Sequence, residues 1–266
     1  MKKLGIILIL AFLALVGIHF LLSPTPDEFV QDDLYEKIKS RGVLKVGINP
    51  ETKPFGFIDK NGKYAGYDVD LARYIAQYIV NNPDNIEFIP VTASNRLLKA
   101  STGEADIVIS TITITHQRQQ IVNFSKPYDI AGQAVLVRSN SAITSLSDLA
   151  DQNVGVIFGT TAEKNMKKLV PNANLRGFRS YQNAYEALKS GKINAITSDD
   201  TILSRFAIDD SSVKLLQKRY SREPYGIAFK KGESTEKLRE NLNFIIEDLQ
   251  RKNVISRLHH KWRIGE

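Results

Sequence analysis

Apolar residues follow two alternating rhythms along the chain. Short runs at Val43–Ile48, Ile86–Val91, Ala105–Ser110, Gln133–Arg138, Asn153–Ile157, Ile193–Ser198, Val213–Leu216 and Tyr225–Phe229 have the length of strands. Between them the apolar positions fall three and four apart. From Tyr67 onward these are Val69, Leu71, Ala72, Ile75, Ala76 and Ile79, which predicts a helix, and Asp68 and Asp70 sit in its first turn, where the helix dipole favours acids. The same spacing predicts helices over Leu34–Ser40, Thr161–Leu169, Asn183–Ser190, Thr201–Ala207, Thr235–Arg251 and Val254–Trp262. Asn61-Gly62 reads as a turn. Strands alternating with helices imply an α/β protein with open sheets and parallel pairing.

That many elements would crowd one sheet, and two passages look like crossings between lobes. Tyr128–Gly132 follows Pro127 and ends in glycine; Ser221–Pro224 carries a proline and leads into a new strand. The expected division is lobe 1 over residues 34–127 plus 225–266, lobe 2 over 133–220, and a hinge at 128–132 and 221–224. Two hinged lobes enclose a cleft that can close on a ligand, held at strand carboxyl ends beside helix N-termini.

The first residues follow neither rhythm. Met1-Lys2-Lys3 precedes an unbroken apolar run, Leu4–Leu22, of about nineteen residues, close to the roughly twenty that span a bilayer. Residues 1–33 are therefore a signal or anchor segment with a proline-bearing tether, Pro24–Asp33. The length of the run and the lack of a small-x-small cleavage signal favour a retained anchor over a cleaved signal peptide. Both place the remainder outside the cytoplasm.

Composition narrows the function. Of 266 residues 42% are apolar and 24% charged, so a packed globular protein is expected rather than a disordered one. The net charge of +7 comes from scattered Lys and Arg without the dense, aromatic-interleaved patch of a nucleic-acid footprint; an anionic membrane or anionic solutes suit it equally. Cysteine is absent, which excludes disulfides, thiolate metal sites, cysteine catalysis and a lipidated cysteine anchor. Four histidines, two of them adjacent at His259-His260 on a polar helix end, offer neither metal spacing nor a Ser/His/Asp set, so no metal and no cofactor is expected.

The candidate chemistry lies in Val91–Arg96 and Gly103–Asp129. Arg96 and Arg118 flank an apolar strand that ends in hydroxyls, with no cysteine or catalytic-looking carboxylate beside them. A guanidinium is permanently charged and grips a carboxylate through two parallel hydrogen bonds. Two such forks facing one small cavity suit a ligand with two carboxylates, and so a receptor for an acidic amino acid. The plainer alternatives are a solvated helix residue for Arg118, a surface residue before Leu97-Leu98 for Arg96, and an N-cap for Asp199 in its Asp199-Asp200 pair.

In series, Gly66-Tyr67-Asp68-Val69-Asp70-Leu71-Ala72, Asp106-Ile107-Val108, Thr113-Ile114-Thr115-His116-Gln117-Arg118, Asn123-Phe124-Ser125-Lys126-Pro127-Tyr128, Thr197-Ser198-Asp199, Tyr225-Gly226-Ile227-Ala228-Phe229 and Lys261-Trp262 resemble the periplasmic amino-acid-binding proteins of ABC importers. These form the polar amino acid family of bacterial extracellular solute-binding proteins, and the likeness runs from about Gly42 to Trp262. It implies a two-lobe periplasmic-binding-protein fold, an amino-acid ligand, a membrane permease as partner and a monomer. It also implies that Thr113 and Arg118 hold the α-carboxylate and that the Thr111 carbonyl and Asp199 take the ammonium, with capping left to Asp200. Thr160 and Thr161, after Gly159, would offer backbone amides to an anion. Glutamine and basic-residue binders of this family place aromatics around the ligand side chain; here those positions correspond to Thr52 and Ala93. Asn95-Arg96 looks instead like the aspartate/glutamate type, with Arg96 on the side-chain carboxylate and Lys53 a further cation. Two rivals remain: a cyclohexadienyl dehydratase-like enzyme on the same scaffold, which would need a general acid or base in the cleft, and a ligand-sensing subunit of a signalling system.

Overall fold

The structure, a computed structural model, describes residues 33–265; the expected signal or anchor run and most of its tether lie outside the described residues. Among the described residues no helix is long and apolar enough to cross a membrane. Helix α1 (Leu34–Arg41) starts where the Asp33 carboxylate accepts from the Glu36 amide at 3.1 Å, and it stops at Gly42, whose φ of 70° only glycine adopts cheaply. There follow β1 (Leu44–Ile48), a small antiparallel meander of β2 (Glu51–Thr52), β3 (Gly56–Ile58) and β4 (Tyr64–Ala65), and α2 (Tyr67–Val80). All the apolar positions that predict α2 are buried. Next come β5 (Ile86–Pro90), α3 (Arg96–Thr102), β6 (Ile107–Val108), α4 (His116–Gln119) and β7 (Asn123–Phe124).

The chain then crosses on β8 (Asp129–Ala131) into β9 (Gln133–Arg138), β10 (Asn153–Ile157), α5 (Thr161–Leu169), β11 (Asn174–Phe178), α6 (Tyr181–Lys189), β12 (Ala195–Asp199), α7 (Asp200–Asp209) and β13 (Val213–Leu215). It returns on β14 (Glu223–Tyr225) to β15 (Ala228–Phe229), α8 (Glu236–Arg251) and α9 (Val254–Trp262). The result is two five-stranded sheets, ordered β5-β1-β6-β15-β7 and β11-β10-β12-β9-β13, joined by a two-stranded ribbon of β8 and β14. The pairing is mixed where parallel pairing was expected: β15 runs antiparallel to β6 and β7, and β9 antiparallel to β12 and β13.

The expected strand Tyr225–Phe229 is really two, because its ends serve different partners. Tyr225 pairs with Asp129 in the ribbon and Ala228 with Val108 in the first sheet. Gly226 makes the bend at close quarters, since a Cβ there would stand 2.8 Å from Ile114 Cδ1. One apolar cluster joins α1, α2, β1 and α8 through Ile38, Ile75, Val46 and Leu242; another, within the second sheet, gathers Val135, Val154, Met166 and Ala195. Each such Val, Leu, Ile or Met side chain contributes about 1.5–3 kcal/mol on burial. The C-terminal helix is fixed by Trp262 Nε1, which donates to Asp70 at 2.8 Å, and by His259, whose ring shares a proton with Asp129 at 3.1 Å on β8. His259 thus has an acid partner that its sequence neighbourhood did not announce.

Candidate functional site

The first sheet's β6 ends at Val108, and the chain beyond it leaves the sheet with its polar groups turned into the gap between lobes. Thr111 takes φ 46°, a left-handed conformation costly for a β-branched residue. Its amide donates to the Tyr128 hydroxyl at 3.3 Å. Two residues on, Ile114 N donates to Pro224 O and Gly226 N to Ile112 O, so Thr113 stands opposite Tyr225 as the non-bonded pair of the bridge. Its own amide and carbonyl therefore face away from that partner. The carbonyl accepts from Arg118 Nη1 at 2.9 Å, and Thr115 caps α4 by accepting from the Arg118 amide at 3.2 Å.

Arg118 is buried, and its Nη2 donates across the gap to the Gly159 carbonyl at 3.0 Å. Burial, and then the neighbouring Arg96 charge, lower its pKa to about 10, so it remains a cation at neutral pH. Arg96, 4% exposed at the start of α3, is held on one edge only: Nη1 donates to the Ser110 carbonyl and lies 3.3 Å from the Thr111 carbonyl and 3.4 Å from its hydroxyl. Its Nε has no partner, and the buried hydroxyls of Ser110 and Thr52 have none either. Burial lowers the Arg96 pKa, opposed by the fields of Tyr181 and Asp199. Polar groups orphaned this deep are costly, which marks them as groups a ligand could satisfy.

The second lobe supplies the opposite charge. Asp199, at the carboxyl end of β12, occupies the N-cap position of α7 without making a cap bond; its carboxylate accepts from the Tyr225 hydroxyl at 2.5 Å. Burial pushes its pKa up to about 6, and the Tyr225 bond pulls the other way. Asp200 does not cap as expected. It accepts from the Gly132 amide at 2.8 Å and from Arg219, and so ties α7 to the crossing. Beside Asp199, the Tyr181 hydroxyl lies 3.0 Å from Ser198 Oγ, with its pKa raised by burial.

The turn before α5 lies against the first lobe. Gly159 has φ 81°, and a Cβ on it would sit 2.5 Å from the Ala93 carbonyl. The Thr160 hydroxyl bends back to Ile157 O at 2.8 Å and Thr161 Oγ1 reaches Glu223 at 3.0 Å. Both hydroxyls are engaged within the protein, which leaves the first-turn amides of α5 as the groups this turn can offer. Ala93 and Thr52 are buried, as small side chains, at the positions where the family resemblance implies aromatics in glutamine and basic-residue binders.

Arg96, Thr111, Thr113, Arg118 and Asp199 thus come together, with the Thr160–Thr161 turn opposite. Lys53 does not join them. It is exposed, 5.3 Å over the Phe57 ring, in a cavity of about 530 Å³ lined by Tyr181, Ser180, Arg205 and Asp209 at the outer mouth. The sequence did not point to Tyr181, to Glu223 or to the Tyr128 hydroxyl, which donates to Asp68 at 3.1 Å. The hint available was placement: Tyr181 opens a helix after the Ser180 cap, and Glu223 precedes a proline on a crossing.

Residues 44–266 match the family model described as bacterial extracellular solute-binding proteins, family 3. The chain is 38% identical over 194 residues to a glutamine-binding protein of Geobacillus stearothermophilus, covering 72% of this chain and 74% of that one. A cysteine-binding protein from Campylobacter jejuni superposes with a TM-score of 0.82 at 28% identity, over 86% of this chain and 92% of the other. An ancestral amino acid-binding protein, a precursor of cyclohexadienyl dehydratase, gives a TM-score of 0.79 at 34% identity, over 86% and 98%. The two-lobe α/β architecture of periplasmic binding proteins is common to all of these structures.

Proposed function

The chain belongs to family 3 of the bacterial extracellular solute-binding proteins, the amino-acid receptors of ABC importers, and from that premise we propose that its ligand is an acidic amino acid, L-glutamate or L-aspartate. The observation that carries the proposal is the half-used guanidinium of Arg96. One edge is fastened to the Ser110 and Thr111 carbonyls while Nε faces no protein acceptor. A carboxylate there would complete a fork whose orientation is already fixed.

The remaining roles follow from charge. The α-carboxylate meets Arg118 and the Thr113 amide, with the Thr161 amide at the start of α5 facing it from the other lobe, since the Thr160 amide already donates to Ile157 O at 3.2 Å. The ammonium meets Asp199 and the Thr111 carbonyl. Lys53 acts only through its field at the mouth. The crossings 128–132 and 221–224 serve as the hinge between residues 34–127 plus 225–266 and residues 133–220, and the N-terminal run tethers the receptor outside the cytoplasm as a monomer. A ligand touching both lobes favours the closed arrangement, which the permease then meets.

A charge-assisted bond at Arg96 favours glutamate over glutamine by about 1–3 kcal/mol when water is excluded. Glutamine is the second reading, supported by the Geobacillus relative and by the buried Glu223 carboxylate, whose charge acts on Arg118. Calorimetric titration with glutamate, aspartate, glutamine and cysteine decides between them. The proposal expects the two acids to bind at least tenfold tighter than glutamine (about 1.4 kcal/mol); tighter glutamine binding would overturn it.

A further inference from the structure

Glu223 is a carboxylate where none is needed to hold a strand together. It is 3% exposed on β14, the return crossing, and three polar side chains converge on its carboxylate. Thr161 Oγ1 donates to Oε2 at 3.0 Å, and Asn165 Nδ2 and Ser221 Oγ donate to Oε1 at 3.2 and 2.6 Å. The same Asn165 amide reaches Gln133 Oε1 at 2.9 Å at the other crossing. Thr161 and Asn165 lie on the first turns of α5, the helix whose N-terminus faces the cleft.

We propose that Glu223 sets the charge selectivity of the cleft without touching the ligand, by clamping the start of α5 to the return crossing and by fixing a negative charge beside Arg118. The inference rests on the ligand reading above, which concerns what Arg96 meets; this one concerns what Arg96 and Arg118 are balanced against. Formally the two guanidiniums are cancelled by Asp199 and Glu223. The Glu223 carboxylate acts on Arg118 and on Asp199 through space, raising the pKa of each. A cancelled cleft takes a zwitterion at little electrostatic cost and holds back its preference for a ligand with net negative charge. Removing the Glu223 charge while keeping its hydrogen bonds should release that preference.

Glu223→Gln is the suitable change. A glutamine carbonyl still accepts from Asn165 and Ser221, and its amide donates to the Thr161 hydroxyl oxygen, which can rotate to accept. Affinities for glutamate and glutamine, and for aspartate and asparagine, are measured by calorimetry on the wild-type and variant proteins. The expected result is a rise of about tenfold in the acid-to-amide affinity ratio in the variant, with the unliganded melting temperature close to wild type. Glu223→Ala, which also loses the clamp, should weaken both members of a pair and still raise the ratio. An unchanged ratio in Glu223→Gln, or equal losses for acid and amide, would reduce Glu223 to a structural clamp and overturn the inference alone. Wild-type protein that binds neither pair would overturn the ligand reading and this inference with it.

Discussion

Arg118 joins three parts of the molecule with one side chain: its own strand end through Thr113, the opposite lobe through Gly159, and the space between them with its remaining donors. Substituting Arg118→Ala should therefore abolish measurable binding of every amino acid, a loss of about 2–5 kcal/mol; calorimetry that still returns micromolar affinity would remove Arg118 from the site. Arg96 differs because its fixed edge and its unpartnered Nε do separate work. Arg96→Lys should be nearly as damaging as Arg96→Ala, since one ammonium cannot hold the Ser110 and Thr111 carbonyls and also present a planar fork. Both variants should weaken glutamate or aspartate more than glutamine, and equal losses would argue against a side-chain role. These residues, with Asp199, were legible because each lies in a short motif whose chemistry is local. Tyr181 and Glu223 were not. Their meaning comes from Ser198 and from Thr161 and Asn165, partners far along the chain that no local pattern announces.

Elements with a strong rhythm emerged close to where the pattern put them, as α2, β9, β10, α5 and α9 illustrate. The elements that escaped notice carry little rhythm. β11, Asn-Leu-Arg-Gly-Phe at a sheet edge, buries none of its side chains fully, and β2, β3 and β4 are too short to show an alternation. The contact between the β10–α5 turn and the loop before α3 exists only once the lobes meet, so no periodicity could foretell it. It yields a prediction for Gly159→Ala. The methyl group would press on the Ala93 carbonyl in the closed arrangement and be relieved in an open one. Ligand affinity should fall about tenfold or more, whereas stability without ligand should lose only the roughly 1–2 kcal/mol of a left-handed alanine. Unchanged affinity would mean that closure does not bring these two loops together.

At the scale of the whole molecule, protonatable groups are buried beside the crossings, against Tyr128 and Tyr225. Asp68, fully buried against Tyr128, has its pKa pushed up to about 7 by burial, and Asp199 is at about 6 for the same reason. A carboxyl whose folded pKa is raised stabilises the fold fully below its unfolded value near 4 and loses that contribution as pH climbs through the folded value. Stability should accordingly decline between about pH 4 and pH 8, by at most about 4 kcal/mol from Asp68. Asp210 pulls the opposite way, because its bond from Lys189 holds its carboxyl far below the usual range, and its effect appears only in stronger acid. The Asp68→Asn protein should show a smaller difference in melting temperature between pH 5 and pH 8 than wild type. An equal difference would assign the trend to other groups.

The ribbon of β8 and β14 has one more implication. Outgoing and returning strands lie side by side from Asp129–Tyr225 to Ala131–Glu223, and the Tyr220 amide still reaches the Gln133 carbonyl at 2.8 Å. The middle third of the polypeptide is thus a cassette with adjoining ends, entered and left through a doorway one strand-pair wide. Transplanting a sibling's cassette through that doorway, or rejoining the doorposts with a few glycines, should leave the remainder able to build its own sheet.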